Sequence, residues 1–146
     1  MTNNLVNKSN EYLANVGVSY IKLHNLHWNV VGFQFKAVHE YLESLYDSLA
    51  DVLDEVAEII KMNGAMPLGS LKSYLEVATI KELDDADVSC KDALAVALGD
   101  IKVLKAQADE VRSLADAEGN YSLVAMMEDH VENYNKTIWF VESMLK

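Results

Sequence analysis

Apolar residues recur every three or four positions along four long stretches of this chain, the spacing of helices that bury one face. In the first, Leu13, Val16, Tyr20, Leu23, His27 and Val30 fall on one stripe, which ends at Gly32. The second runs from about Phe35 to Lys61 through Val38, Leu42, Leu45, Leu49, Val52, Val56 and Ile60, and Asn63-Gly64 supplies its stop. The third spans roughly Asp87 to Ala117 through Leu94, Ala97, Ile101, Leu104, Ala108, Val111 and Leu114, and Gly119-Asn120 breaks it. The fourth carries Leu123, Met127, His130, Tyr134, Ile138, Val141 and Leu145. No alternation of the strand type stands out.

The first and third connections are short and the second is long, with Pro67 and Gly69 as punctuation and a short helix over Ser70–Leu75. A plain up-and-down bundle needs no such middle connection. The expected fold is therefore all-α: a single domain over residues 1–146, a four-helix bundle with one long crossover, which is the ferritin-like connectivity.

Composition narrows the function. The chain has 146 residues, 51% of them hydrophobic, with one Pro and six Gly, enough for one domain with a real core. Its net charge is −11, which attracts cations and repels nucleic-acid phosphates. The N-terminal residues Met1–Lys8 hold one lysine and the last helix runs to Lys146, so DNA binding through a basic tail is not expected. Cys90 is the only cysteine and forms no intrachain disulfide, which fits a reducing cytosol. With no signal-like opening and no apolar run of membrane length, the cytoplasm is the expected location.

The candidate chemistry lies in the first two helices. His27 and His39 are followed by Glu43, Asp54 and Glu58, an imidazole and carboxylate set that suits iron, manganese or zinc. His39 and Glu43 are four apart and share a helix face, as do Asp54 and Glu58. Between Glu43 and Asp54, however, lie about 16 Å of helix axis, against a ligand radius of about 2 Å. The two pairs meet only if a second copy of the helix runs antiparallel across a two-fold axis, which builds two identical shared sites. An acidic flank alone reads most simply as a solvated face, and a lone histidine on an apolar stripe as a hydrogen-bonded core residue. The spacing of the histidines to the acids is what weighs against both.

Other candidates carry less. His24 is one turn before His27 and reads as a supporting or surface group, His130 as a core histidine with no acid suitably placed. Trp28, Trp139 and the methionines read as packing residues. No Glu-x-x-His occurs, so a di-iron centre inside one bundle is disfavoured. His39-Glu40 is not followed by a histidine at position 43, which removes the zinc-protease helix, and no phosphate loop or nucleophile elbow is present.

The stretch His27-Trp28-Asn29-Val30-Val31-Gly32, with Phe35 and Val38-His39-Glu40 after it, resembles the Dps-type miniferritins. So do Glu43, Asp54–Glu58, Pro67–Leu75 and Ile138–Glu142, so that the resemblance covers nearly the whole chain. It implies a hollow homo-dodecamer that oxidises Fe(II), preferably with hydrogen peroxide and otherwise with dioxygen, and stores ferric mineral. Ferroxidase centres would lie at the two-fold interfaces, with His27, His39 and Glu43 from one subunit and Asp54 and Glu58 from its partner. Iron is the implied metal, with zinc or another divalent ion as a substitute. Trp28 would lie beside the centre as an oxidisable aromatic that supplies an electron.

Two departures from the family pattern stand out. Ile59 follows Ala57-Glu58 where relatives often have an arginine, so an ion pair is expected to be lost. Near the fourth helix start, where many relatives have pore-lining acids, this chain has Asn120, Tyr121, Ser122 and Ala125, with Asp116, Glu118, Glu128 and Asp129 around them.

Overall fold

A computed structural model describes Met1–Lys146. Helix α1 spans Asn3–Asn29, α2 Phe35–Met62, α3 Leu71–Val77, α4 Cys90–Ala117 and α5 Tyr121–Leu145. The four long helices form the bundle, and α3 lies in the crossover between α2 and α4, so the expected ferritin-like architecture stands. No helix is long and apolar enough to cross a membrane.

Local chemistry sets the helix ends. Thr2 caps α1 by accepting from the Leu5 amide, Ser89 caps α4 by accepting from Asp92, and Ser70 and Ser73 form a capping box at α3. At the end of α2, Gly64 takes φ +78°, the left-handed conformation that terminates many helices. Helix α1 begins ten residues before the first named stripe position, because its polar opening, Asn3, Asn4, Asn7 and Lys8, shows no stripe.

One element differs from the all-helical reading. Val30–Val31 (β1) pairs in parallel with Val88–Ser89 (β2). The start of α4 therefore falls at Cys90 rather than near Asp87, since Val88 and Ser89 are extended. Two residues per strand leave no periodic trace in a sequence. The pairing ties the α1–α2 turn to the beginning of α4.

Thirty buried hydrophobic residues make one core. Helix α1 is its centre: every residue from Tyr12 to Ser19 is buried, because α1 packs on α2, α3 and α4. Two asparagines of α1 hold the crossover. Asn10 donates to the Met66 carbonyl and accepts from the Leu68 amide; Asn15 accepts from the Thr79 and Ile80 amides and donates to Thr79 and Gln107. These bonds satisfy buried amide groups that would otherwise cost about 1–3 kcal/mol each.

Between those anchors the Tyr74 ring of α3 packs closely against Gly17. A Cβ at position 17 would stand 2.6 and 2.7 Å from two ring carbons. Alanine in a helix normally stabilises by about 1 kcal/mol relative to glycine. Here Gly17→Ala is expected to destabilise by about 1–3 kcal/mol, the usual cost of overpacking, in urea unfolding.

Candidate metal centre

The turn between α1 and α2 brings the two histidines together. Gly32 makes it possible with φ +127°, a conformation that side chains with a Cβ rarely adopt. His27 and His39 then stack with ring centroids 3.6 Å apart and planes 12° from parallel. Each Nδ1 donates to the other residue's backbone carbonyl, at 2.6 Å from His27 and 2.7 Å from His39. The His27 carbonyl lies in the last turn of α1, so the bond also gives a helix-end carbonyl a side-chain partner.

These bonds set the tautomer. A carbonyl only accepts, so both Nδ1 atoms carry protons and each neutral ring keeps its Nε2 lone pair free. A backbone acceptor on one ring nitrogen is the usual support for a metal on the other. His27 is buried and His39 half-buried.

Aromatic rings enclose the pair. Phe35 stacks on His39 at 4.9 Å, and Tyr46 stands edge-on to His27 at 5.3 Å. The Tyr46 hydroxyl donates to Glu43 Oε1 at 3.2 Å. Partial desolvation first, and this carboxylate second, raise the phenol above its ordinary range, so it remains a donor at neutral pH. Tyr46 thus contacts two candidate ligands, a role the sequence reading missed although Tyr46 stands three residues after Glu43 on one face. His24 stacks on Tyr46 at 3.7 Å and donates to the Tyr20 carbonyl, a supporting position.

Trp28 is 68% exposed and Trp139 64%, so neither is a core packing residue within one chain. Trp28 sits beside His24, ring centroids 5.5 Å apart. Met127 is buried as expected of core filler, whereas Met62 and Met66 are exposed.

Asp54 and Glu58 lie further along α2, exposed on the same unbroken helix. The chain does not bring them to the histidines. Within one copy, no group of three or more His, Cys, Asp and Glu side chains stands close enough to hold a metal. The acidic flank of α2, with Glu43, Asp47, Asp51, Asp54 and Glu58, faces outward.

His130 corrects one expectation. It is buried on the core face of α5 and does meet an acid: its Nε2 is 3.0 Å from Glu55 Oε2, while Nδ1 faces the Tyr12 hydroxyl at 3.1 Å. The acid comes from α2, where spacing along α5 gives no sign of it. Ile59 is buried in the core. Asn120 caps α5 and donates to Asn63, while Asp116 and Glu128 pair with Arg112, and Glu118 accepts from Thr2.

The ferritin-like domain family matches residues 7–146. A relative from Helicobacter pylori, called a DNA protection during starvation protein, is 33% identical over 132 residues, 90% of this chain and 92% of its own. The crystal structure of antigen TpF1 from Treponema pallidum superposes with a TM-score of 0.96 at 31% identity, covering 98% of this chain and 92% of that one. A DPS protein from Vibrio cholerae O1, described as a member of a broad superfamily of ferritin-like diiron-carboxylate proteins, gives 0.94 at 31% identity, covering 98% and 89%.

Proposed function

The chain belongs to the ferritin-like domain family as a Dps-type miniferritin, and on that premise we propose that it oxidises Fe(II) with hydrogen peroxide at centres shared between subunits and stores the ferric product. Membership itself implies iron binding, protection from oxidative damage and homo-oligomeric assembly. The observation that carries the finer reading is the His27–His39 pair: two imidazoles locked with their Nε2 atoms free, His39 one turn before Glu43 on α2, on a chain that closes no metal site around them by itself.

A partner's copy of Asp54 and Glu58, brought across a two-fold axis, completes a set of two imidazoles and three carboxylates. Oxygen and imidazole donors hold Fe(II) and leave positions for the oxidant. Two Fe(II) ions held side by side would each give one electron to one hydrogen peroxide, which takes up two protons from solvent as its O–O bond breaks to two waters, so that no hydroxyl radical is released. The acidic surface raises the local concentration of the cation. Trp28 stands next to His24, and on this reading it is the oxidisable ring that supplies an electron to the centre. Twelve such chains closing a hollow shell would give the mineral an enclosed volume, and zinc or another divalent ion would occupy the same donors. On this reading dioxygen is the alternative oxidant.

Anaerobic Fe(II) followed by peroxide tests the reading. The expected result is a protein-dependent ferric absorbance rise, loss of peroxide, and electron-dense cores inside particles of about twelve chains. Peroxide loss no faster than in buffer with the same iron would overturn it. The name of the Helicobacter pylori relative raises a coat on DNA as another protective role. The charge of −11 per chain opposes it, and a low-salt gel-shift is expected to show no complex.

A further inference from the structure

Tyr46 touches both sides of the candidate centre, yet the iron chemistry outlined above gives it no part. It stands three residues after Glu43 on α2, and helical side chains lean toward the helix N-terminus. Its hydroxyl therefore reaches back to Glu43 Oε1, 3.2 Å away, and is the one hydrogen-bond partner Glu43 has within the chain.

The Tyr46 ring is braced on three sides. The His24 imidazole of α1 lies on its face, with centroids 3.7 Å apart and planes 21° from parallel. Tyr20 and His27 stand edge-on to it, with centroids at 6.2 and 5.3 Å. His24 is fixed in turn, because its Nδ1 donates to the Tyr20 carbonyl at 2.7 Å. An exposed glutamate is thus tied to a half-buried phenol whose own ring is held by a locked imidazole.

That tie bears on how the carboxylate takes a metal. A free carboxylate closes on an ion through both oxygens or binds through one. An oxygen that accepts from a phenol is less basic and is turned toward the ring, which leaves the other oxygen for the metal. Each position left open on the ion is one that an oxidant can occupy.

We propose that Tyr46 is a positioning residue that holds Glu43 to one-oxygen binding and so keeps a place on the metal for the oxidant, with His24 as the brace of the Tyr46 ring. The proposal rests on the ferroxidase reading and deepens it. His24 acts through its flat face, not as a further ligand.

The test uses the assembled protein and Co(II), a probe for oxygen and imidazole sites whose visible absorbance per ion falls as its coordination number rises. In Tyr46→Phe, which keeps the ring and loses the hydroxyl, Glu43 is free to close on the ion with both oxygens. The absorbance per bound Co(II) is expected to fall while the dissociation constant stays the same or tightens. Fe(II) oxidation by peroxide is expected to slow about 10-fold, the lower end of what outer partners of a ligand contribute. His24→Ala is expected to move both readouts in the same direction, and His24→Phe, a flat ring without the nitrogen, to recover most of the loss. Circular dichroism and particle size check that each variant is assembled.

Weaker Co(II) binding at an unchanged absorbance per ion marks a merely structural role for Tyr46 and would overturn the proposal, as would a Tyr46→Phe protein indistinguishable from wild type. A His24→Phe protein no better than His24→Ala would overturn the brace. Wild type that binds Co(II) but consumes no peroxide would overturn the ferroxidase reading, while the cobalt absorbance of Tyr46→Phe still decides how Glu43 is held.

Discussion

Alanine at both His39 and Glu58 is expected to lower Fe(II) oxidation by peroxide more than about 100-fold, beyond the upper end of what loss of a single outer partner of a metal ligand costs. His39 offers Nε2 only because its Nδ1 is bound to the His27 carbonyl, and Glu58 lies fully outward on α2 with no hydrogen bond inside its own chain. Each change removes one donor from a different half of the shared site, so both centres of every pair lose two. His39→Ala also removes the stack on His27, so a companion is needed. Glu58→Gln changes an exposed side chain and should alter stability by less than about 0.5 kcal/mol. A large fall in oxidation by Glu58→Gln at an unchanged melting temperature isolates the ligand role.

The second large effect is on stability. Lys22 lies on α1 with its ammonium 2.8 Å from Asp100 on α4, side chains 7% and 18% exposed. Lys22→Met is expected to destabilise by about 3 kcal/mol, because it leaves a carboxylate without its partner in a largely buried place. Replacing both partners, Lys22→Met with Asp100→Leu, is expected to recover most of that loss. The pH dependence has a definite sign. Burial raises the Asp100 carboxyl above its ordinary value, and the Lys22 hydrogen bond and charge oppose that rise. Without Lys22 the folded-state value moves higher still. A carboxyl whose folded value exceeds its unfolded value destabilises the fold when ionised and ceases to do so once protonated. The deficit of Lys22→Met relative to wild type is therefore greatest near neutral pH and shrinks as pH falls toward the unfolded carboxyl range, which urea titrations at several pH values measure.

Much of this architecture was legible because the apolar stripes are long. Leu42, Leu45, Leu49, Val56 and Ile60 of α2 all prove buried, and Asn63-Gly64 and Gly119-Asn120 end their helices where turn chemistry says they should. What stayed hidden depends on partners distant in the chain. The β1–β2 pair joins residues 58 apart through two residues on each side, too few for a pattern. The crossover is held by Asn10 and Asn15, polar residues on a helix whose other faces are buried, and periodicity treats such residues as solvent-facing. Glu55 sits within an outward acidic flank, and only the packing of α2 beside α5 turns it toward His130.

The candidate site divides the same way. The spacing of His39 to Glu43, and the length of helix before Asp54, are properties of one helix and can be reckoned from sequence. The stacking of His27 on His39 is a property of the turn at Gly32, and the part of Tyr46 follows from it. The exposure of Trp28 reflects a surface that one chain leaves uncovered.

A mixture of two inactive variants decides whether each site is built from two chains. His39→Ala and Glu58→Ala chains are co-expressed so that they assemble together, and Fe(II)-dependent peroxide consumption is compared with each variant assembled alone. In a mixed pair one site collects both defects and the other has none. With random pairing, half the pairs are mixed, so about a quarter of wild-type activity is expected to return. Activity in the mixture no greater than in the separate variants would contradict a site built from two chains.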